Sequence, residues 1–317
     1  MSRLSTKTHP LLTESVIDNL FSKQIFTVAN FIETDVKRLA NLTNLTYKNV
    51  LTIRKHIINK NAAVTKNGLS AFEEWLDKNA LLQTGIQNID SILNGGLSTG
   101  HIYELCGLPA SGKTQFCLTV AMNIAQKLKQ HVYYLDCKGD FNATRIKTML
   151  DARKVTNSDT IEIMSKILVK RINTLHELVN SLYEIKTETD NGLNVKLIVV
   201  DSLPALAYQF EEFSKCNAAL NHLVNVMKFL TSEYYVCFIV TNILTTWYEG
   251  NIGEEKLLSE KIGSGKYWQS VPNTRLKFVS AAAASANDGK YEISIVKSNE
   301  IITGTKCYVR IGDLGMI

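Results

Sequence analysis

The chain has 317 residues, 45% of them hydrophobic and 21% charged, and it carries neither a run of about 18 apolar residues nor a charged-then-apolar leader, which speaks against a membrane span or secretory signal and for a soluble intracellular protein. Residues 1–60 hold nine Lys/Arg against four Asp/Glu while the remainder balances, so the whole net charge of +5 lies in the first fifth of the chain. A small basic unit beside a neutral one points to nucleic acid or an acidic partner, or to a solvated basic face.

In chain order, Thr13 is placed to cap a helix carrying Val16, Ile17 and Leu20. Val28, Phe31 and Ile32 follow at helical spacing, then Val36, Leu39 and Ala40. Val50, Ile53, Ile57 and Ile58 stripe a last helix beginning near Thr46. Residues 1–60 therefore read as a small all-α domain, 61–79 as a polar linker containing Gly68, and 80–317 as a second, larger core. From about residue 80 strands alternate with helices. A strand at 102–106 enters a Gly-rich loop; Leu118, Ala121, Met122, Ala125 and Leu128 recur at helical spacing; and 132–135 resumes as strand. Two more buried strands, 197–200 and 236–240, flank a helix striped by Leu220, Leu223, Val224, Met227 and Leu230. This alternation predicts an α/β core with a mostly parallel sheet covered on both faces. At the end, 275–280 and 291–296 around Asn287-Asp288-Gly289 read as a hairpin and 306–311 as a further strand, an antiparallel extension. The six cysteines (Cys106, Cys117, Cys137, Cys216, Cys237, Cys307) form no CxxC pair and have mostly apolar neighbours, which suits reduced core thiols.

Residues 107–114, Gly-Leu-Pro-Ala-Ser-Gly-Lys-Thr, match G-x-x-x-x-G-K-[ST] at every fixed position. Gly107 and Gly112 let the backbone curl so that the amides of Leu108, Pro109's neighbours Ala110 and Ser111, and the following helix N-terminus face phosphate. Lys113 is expected to reach the β- and γ-phosphates and the Thr114 hydroxyl a Mg²⁺ ion, and Gln115 follows on the same turn. The apolar strand 196–200 ends in Asp201, which places a carboxylate at the sheet edge to hold the metal through water. ATP and Mg²⁺ are the expected cofactors.

Thr84-Gly85-Ile86 with Ile89-Asp90, Gly95-Gly96-Leu97-Ser98-Thr99-Gly100, the P-loop continued as Gly112-Lys113-Thr114-Gln115, and Val240-Thr241-Asn242 together resemble the RecA superfamily in its eukaryotic recombinase branch. The likeness covers nearly the whole chain. The short helical N-terminal domain, Thr99-Gly100 and Lys297-Ser298 are most similar to the D-type paralogues of that branch. The resemblance implies a RecA-like P-loop NTPase core, homologous-recombination DNA repair in the nucleus, ATP-dependent binding of single-stranded DNA, and assembly with other recombinase paralogues, the C-type and the X-ray-cross-complementing type.

The departures from the family pattern bear on mechanism. Active recombinases have Asp-x-Glu-Gly after the P-loop helix, the Glu polarising the attacking water; here the segment is Asp136-Cys137-Lys138-Gly139, and an ammonium cannot act as that base. Lys138 either neutralises phosphate charge or is a solvated loop lysine. The family's sensor pair is Asn-Gln, here Asn242-Ile243, so Asn242 can report on the γ-phosphate but Ile243 relays nothing through an amide. The family's DNA loops correspond to 203–217 and 243–265. The second has Glu249, Glu254, Glu255 and Glu260 against Lys256 and Lys261, a poor phosphate track. Trp247 and Tyr248 either stack on bases or pack on their own domain. The linker lacks Phe-x-x-Ala, Phe72 being followed by Glu73-Glu74-Trp75, which argues against long homofilaments. Lys297 stands where RecA-like proteins offer a cation to a neighbour's ATP, or is an exposed strand-end lysine. In the small domain, Asn44 replaces the Gly of a helix-hairpin-helix-like turn, and Lys48, Arg54, Lys55 and Lys60 are candidates for phosphate contact, or the face docks protein. The reading is an ATP-binding adaptor or mediator with weak or no hydrolysis. Its competitors are a DNA-stimulated ATPase or strand-exchange recombinase, and a homohexameric helicase-type ATPase.

Overall fold

The computed structural model describes residues 3–62, 65–249, 257–280 and 290–317. The chain divides into two compact units, Met1–Glu73 and Glu74–Ile317.

The first unit holds α1 (Glu14–Ser22), α2 (Val28–Glu33), α3 (Val36–Thr43) and α4 (Tyr47–Asn61). Leu20, Phe31, Leu39, Val50 and Ile53 are completely buried at its centre, the stripes that periodicity picks out. Thr27 and Asn30 close a reciprocal capping box on α2, Asp35 accepts the Arg38 amide on α3, and Thr46 accepts the Asn49 amide on α4. Thr13 stands at the N-cap of α1 but caps nothing with its side chain; its hydroxyl lies 3.1 Å from Ser15 Oγ instead. Between α3 and α4, Asn44 sits in the left-handed region (φ 57°, ψ 20°), so the turn survives without glycine. Arg54, a candidate for phosphate contact, donates from Nη2 to the Phe31 carbonyl at 3.3 Å and to that of Thr34, closing the C-terminal end of α2. The segment read as linker contains α5 (Gly68–Lys78).

The second unit opens with β1 (Leu81–Leu82), α6 (Gln87–Ile92) and β2 (Leu97–Ser98), the two short strands pairing with each other. The βα alternation follows as β3 (Ile102–Gly107), α7 (Lys113–Lys127), β4 (His131–Asp136), α8 (Ala143–Ala152), α9 (Asn157–Ser165), β5 (Ile167–Arg171), α10 (Leu175–Asp190), β6 (Val195–Asp201), α11 (Leu203–Ala207), α12 (Phe213–Tyr234) and β7 (Cys237–Glu249). Then come β8 (Leu257–Ile262), α13 (Gly265–Gln269), β9 (Thr274–Ser280), β10 (Lys290–Ser298), β11 (Lys306–Gly312) and β12 (Gly315–Met316). The main sheet runs β12-β11-β10-β9-β3-β7-β6-β4-β5, parallel from β9 to β5 and antiparallel from β9 to β12. The antiparallel extension is therefore present; its turn at Asn287-Asp288-Gly289 lies outside the described residues.

Alternate strand residues feed two cores, as a sheet covered on both faces requires. Leu105, Tyr134, Val199 and Ile239 pack with α7 and α8 on one face, and Leu135, Val200, Phe238 and Val240 pack with α10 and α12 on the other. Two expected loops differ. The 203–217 segment contains α11 and the start of α12, and in the described parts of 243–265 β7 runs on as one strand of an antiparallel ribbon, pairing Leu244 with Ile262 and Glu249 with Leu257. Thr245, Thr246, Trp247 and Tyr248 are strong strand formers, which is why the chain stays extended there.

Because Asn44 already holds a left-handed conformation, Asn44→Gly is expected to leave the thermal melt of the chain unchanged or slightly raised, whereas Asn44→Ala costs about 1 kcal/mol. A chemical denaturation series over the three proteins checks the order.

Candidate nucleotide site

The carboxyl ends of the parallel strands line up so that Gly107 pairs with Ile243, Cys106 with Asn242, and Asp136 with Asp201. Ligands of α/β sheets bind along this edge. The P-loop leaves β3, takes positive φ at Ala110 (60°) and Gly112 (94°), and enters α7 at Lys113. A Cβ at Gly107 would strike the Phe278 carbonyl and Ser111 Oγ, so the loop can close only over glycine. Lys113 Nζ donates to the carbonyls of Gly107 at 2.9 Å and Leu108 at 2.8 Å and to Ser111 Oγ at 3.0 Å, which folds the ammonium across the mouth of the cradle. Leu108, Pro109 and Ala110 are exposed at its rim.

Asp201, only 1% exposed, ends β6 beneath this loop. Its Oδ2 accepts the hydroxyls of Thr114 at 2.8 Å and Tyr134 at 2.9 Å, and its Oδ1 that of Thr241 at 2.6 Å. Burial, then the neighbouring Cys117 and Asp201, push the Tyr134 phenol well above its ordinary pKa, so it stays a donor. Thr114 and Asp201 thus form an oxygen-only pair at the start of α7, the donor chemistry that suits a hard divalent cation. Tyr134 and Thr241 are absent from the sequence-based list, although a threonine closing the apolar run 236–240 is a legible signal.

Lys138 lies at the same edge. Its ammonium pairs with Asp140 at 2.8 Å and stands 4.0 Å from Asp201 Oδ1. Burial alone lowers its pKa, but the Asp140 hydrogen bond and the fields of Asp201, Asp140 and Asp136 outweigh that and raise it. The loop presenting it is built by Asp136, whose Oδ1 accepts the amides of Lys138, Gly139 and Asp140 and whose Oδ2 accepts that of Phe141. Lys138 is therefore an ordered cation of the cleft, and Lys113 feels it: the Lys113 pKa is lowered first by burial and next by repulsion from Lys138.

Asn242 lies at the edge of the cleft with every side-chain group engaged. Its Nδ2 donates to Glu104 Oε1 at 2.6 Å and to the Gly263 carbonyl at 3.1 Å, and its Oδ1 accepts the Ile243 amide at 2.8 Å. Glu104 is completely buried and also accepts from Trp268 Nε1 at 2.9 Å and from Arg275 Nε. Sequence reasoning missed this network; a lone acid inside the apolar strand β3 is the trace it leaves. Lys297 lies half-buried near the end of β10. Its ammonium donates to the carbonyls of Gln269 at 3.1 Å and Ser270 at 2.9 Å, capping α13, and burial followed by repulsion from Arg275 lowers its pKa. Of the expected DNA-loop residues, Trp247 and Tyr248 lie on β7 with side chains outside the described residues, Lys256 lies outside them altogether, and Lys261 is exposed on β8.

The cleft, ≈ 540 Å³ in volume, is lined by the P-loop, Lys138, Asp140, Ser202, Asn242 and Ile243, and by Tyr291 of β10 and Ile311 of β11, which stand against Gly112. All six cysteines are buried and free, with Cys106 and Cys137 both pushed up to about 12 by burial first of all, so none is a reactive thiol. A bound polyanion stabilises the Lys113 ammonium against deprotonation, so affinity for inorganic tripolyphosphate should fall as pH rises through the lowered Lys113 pKa. Lys138→Ala removes the repulsion and moves that fall to higher pH, as calorimetric titrations across the alkaline range would register.

Comparison with known proteins agrees with this geometry. The Rad51 family model matches residues 77–285, and the model described as RAD51D, N-terminal domain, matches residues 1–59. The chain is 31% identical to the DNA repair protein RAD51 homolog 4 of Mus musculus, over 96% of this chain and 93% of that protein. It is 30% identical to the Bos taurus protein of the same name, over 96% and 94%. Among solved structures, the crystal structure of the RadB recombinase has the same fold, with a TM-score of 0.60 at 22% identity over 74% of this chain and 98% of that one. By the match over its core and the separate match over its first domain, the chain belongs to the Rad51 family, with the N-terminal domain of the RAD51D type.

Proposed function

We propose that the chain is an ATP- and Mg²⁺-binding Rad51 paralogue that serves DNA repair and recombination as an adaptor or mediator, with weak or no hydrolysis of its own. The observation that carries this reading is the pairing of a complete P-loop and Asp201 with Lys138, already salt-bridged to Asp140, where an active recombinase has its water-polarising glutamate. Thr114 and Asp201 would hold the Mg²⁺, which when bound supplies charge neutralisation to the phosphates. Lys113 and Lys138 would bind and orient the β- and γ-phosphates. With a cation in place of a base the bound triphosphate is long-lived, and ATP then acts chiefly as a component of the interface between neighbouring RecA-like cores.

The names of the relatives support the repair role: the RAD51 homolog 4 proteins and, at 26% identity, the human RAD51 homolog 2 are DNA repair proteins. On this reading the partners are other recombinase paralogues, the C-type and the X-ray-cross-complementing type, the shared ligand is single-stranded DNA, and the compartment is the nucleus. The acidic balance of 243–265 and the missing Phe-x-x-Ala favour a hetero-oligomer over a self-polymerising filament.

The test is ATP binding and turnover by the purified chain, with and without single-stranded DNA, for wild type and Lys138→Glu. Tight binding with negligible wild-type turnover is expected, and the substitution should recover part of the roughly 100-fold that a positioned base contributes. Brisk DNA-stimulated turnover by the wild type would overturn the adaptor reading in favour of an active ATPase.

A further inference from the structure

The phosphate cleft carries a cation on a fixed mount. Asp136, only 6% exposed, spends both oxygens on the amides of Lys138, Gly139, Asp140 and Phe141, and Arg171 of β5 brings its Nη1 to 3.4 Å from Oδ1. Gly139 takes φ 86° in this loop, a conformation that few other residues hold. The loop so built presents Lys138 to the same cleft as Gly112, Lys113 and Thr114. The Lys138 ammonium has two anionic neighbours at the cleft. Asp140 holds it at 2.8 Å, but the two side chains are 39% and 49% exposed, and a pair that water reaches is readily exchanged for a stronger anion. The other is Asp201, whose Oδ1 lies 4.0 Å away and whose oxygens otherwise accept the hydroxyls of Thr114, Tyr134 and Thr241. The carboxylate suited to a divalent ion thus already faces a positive charge. That charge is felt across the cleft: after burial, repulsion from Lys138 is the next cause of the lowered Lys113 pKa.

Resting on the nucleotide reading above, we propose that Lys138 is a resident counter-ion of the site, which takes over part of the charge neutralisation that Mg²⁺ supplies and makes nucleotide binding largely independent of the divalent ion. A triphosphate entering a cleft that holds Asp140 and Asp201 needs positive charge beside it. Lys138 provides one such charge by exchanging Asp140 for phosphate. The same charge repels a dication held by Thr114 and Asp201 at that edge. The contribution of the metal to affinity therefore shrinks on two counts: less phosphate charge is left for it to neutralise, and its carboxylate attracts it less. A glutamate at position 138 acts in the opposite sense on both.

Calorimetric titration of the full chain with ATP, once in excess Mg²⁺ and once in EDTA, tests this for wild type, Lys138→Arg and Lys138→Met. Removing Mg²⁺ should weaken ATP binding to wild type by less than about tenfold, and to Lys138→Met, which keeps the length of the side chain without its charge, by about 100-fold or more. Lys138→Arg, which keeps the charge, should stay near wild type. Mn²⁺ in place of Mg²⁺ gives a second readout: by the paramagnetic resonance of the free ion, ATP-loaded Lys138→Met should take up Mn²⁺ more tightly than ATP-loaded wild type. Three results would overturn the proposal: a larger loss in wild type on metal removal, the same metal dependence in wild type and Lys138→Met, or equal Mn²⁺ uptake by the two. Each of these leaves the phosphate cradle standing, because ATP still binds with the metal present. Failure of wild type to bind ATP in either condition instead removes the nucleotide reading, and the counter-ion with it.

Discussion

A single buried carboxylate organises the site end of the larger unit. Asp201 is almost wholly withdrawn from water, and a group in that position is tolerable only when its lone pairs are met. Three hydroxyls meet them, and each comes from a different element: Thr114 from α7, Tyr134 from β4 and Thr241 from β7. The carboxylate therefore pins the P-loop helix to two strands of the sheet. It sets the depth at which the cradle sits above the strand ends, and the loop carrying Lys138 and the stretch of β7 carrying Asn242 inherit their positions from that arrangement.

A second buried acid does comparable work two strands over. Glu104 sits two residues along β3 from Cys106, where the chain turns into the P-loop, and it gathers Asn242, Trp268 and Arg275 around itself. Removing one partner from a buried charged pair costs roughly 3–5 kcal/mol, because the other charge is left unmet. The foot of the ribbon is drawn into the same group through the Gly263 carbonyl, which shares the Asn242 amide with Glu104. Nucleotide cleft and ribbon thus meet at one carboxamide, and Ile243, standing next to it, adds only backbone links, its carbonyl accepting the Gly263 amide at 2.9 Å.

Much of this was legible in the sequence, for reasons that can be named. The P-loop is fixed by backbone demands that only glycine and a basic residue at set spacing satisfy, and the strands entering it are long apolar runs. Asn44 announced its turn because few residues other than glycine accept the left-handed region. By contrast, β5 buries little more than Ile167 of its five residues, and an edge strand with so small an apolar face leaves a weak periodic signal. The ribbon after β7 was expected as loop by analogy, although its residues favour extended chain. The local partners of Arg54 and Lys297 were hidden, because sequence shows charge but not the helix ends that their side chains cap. The contact of Tyr291 and Ile311 with the P-loop was out of reach, since they lie about 180 residues or more beyond Gly112 and only the sheet order brings them beside it.

The burial of all six thiols has a practical side. Burial should make the native cysteines slow to react with a maleimide probe on the folded chain, so one cysteine engineered at the P-loop rim would be expected to carry most of a fluorophore or spin label. The molecule is in that respect ready for site-specific distance measurements without first being stripped of its own sulfur.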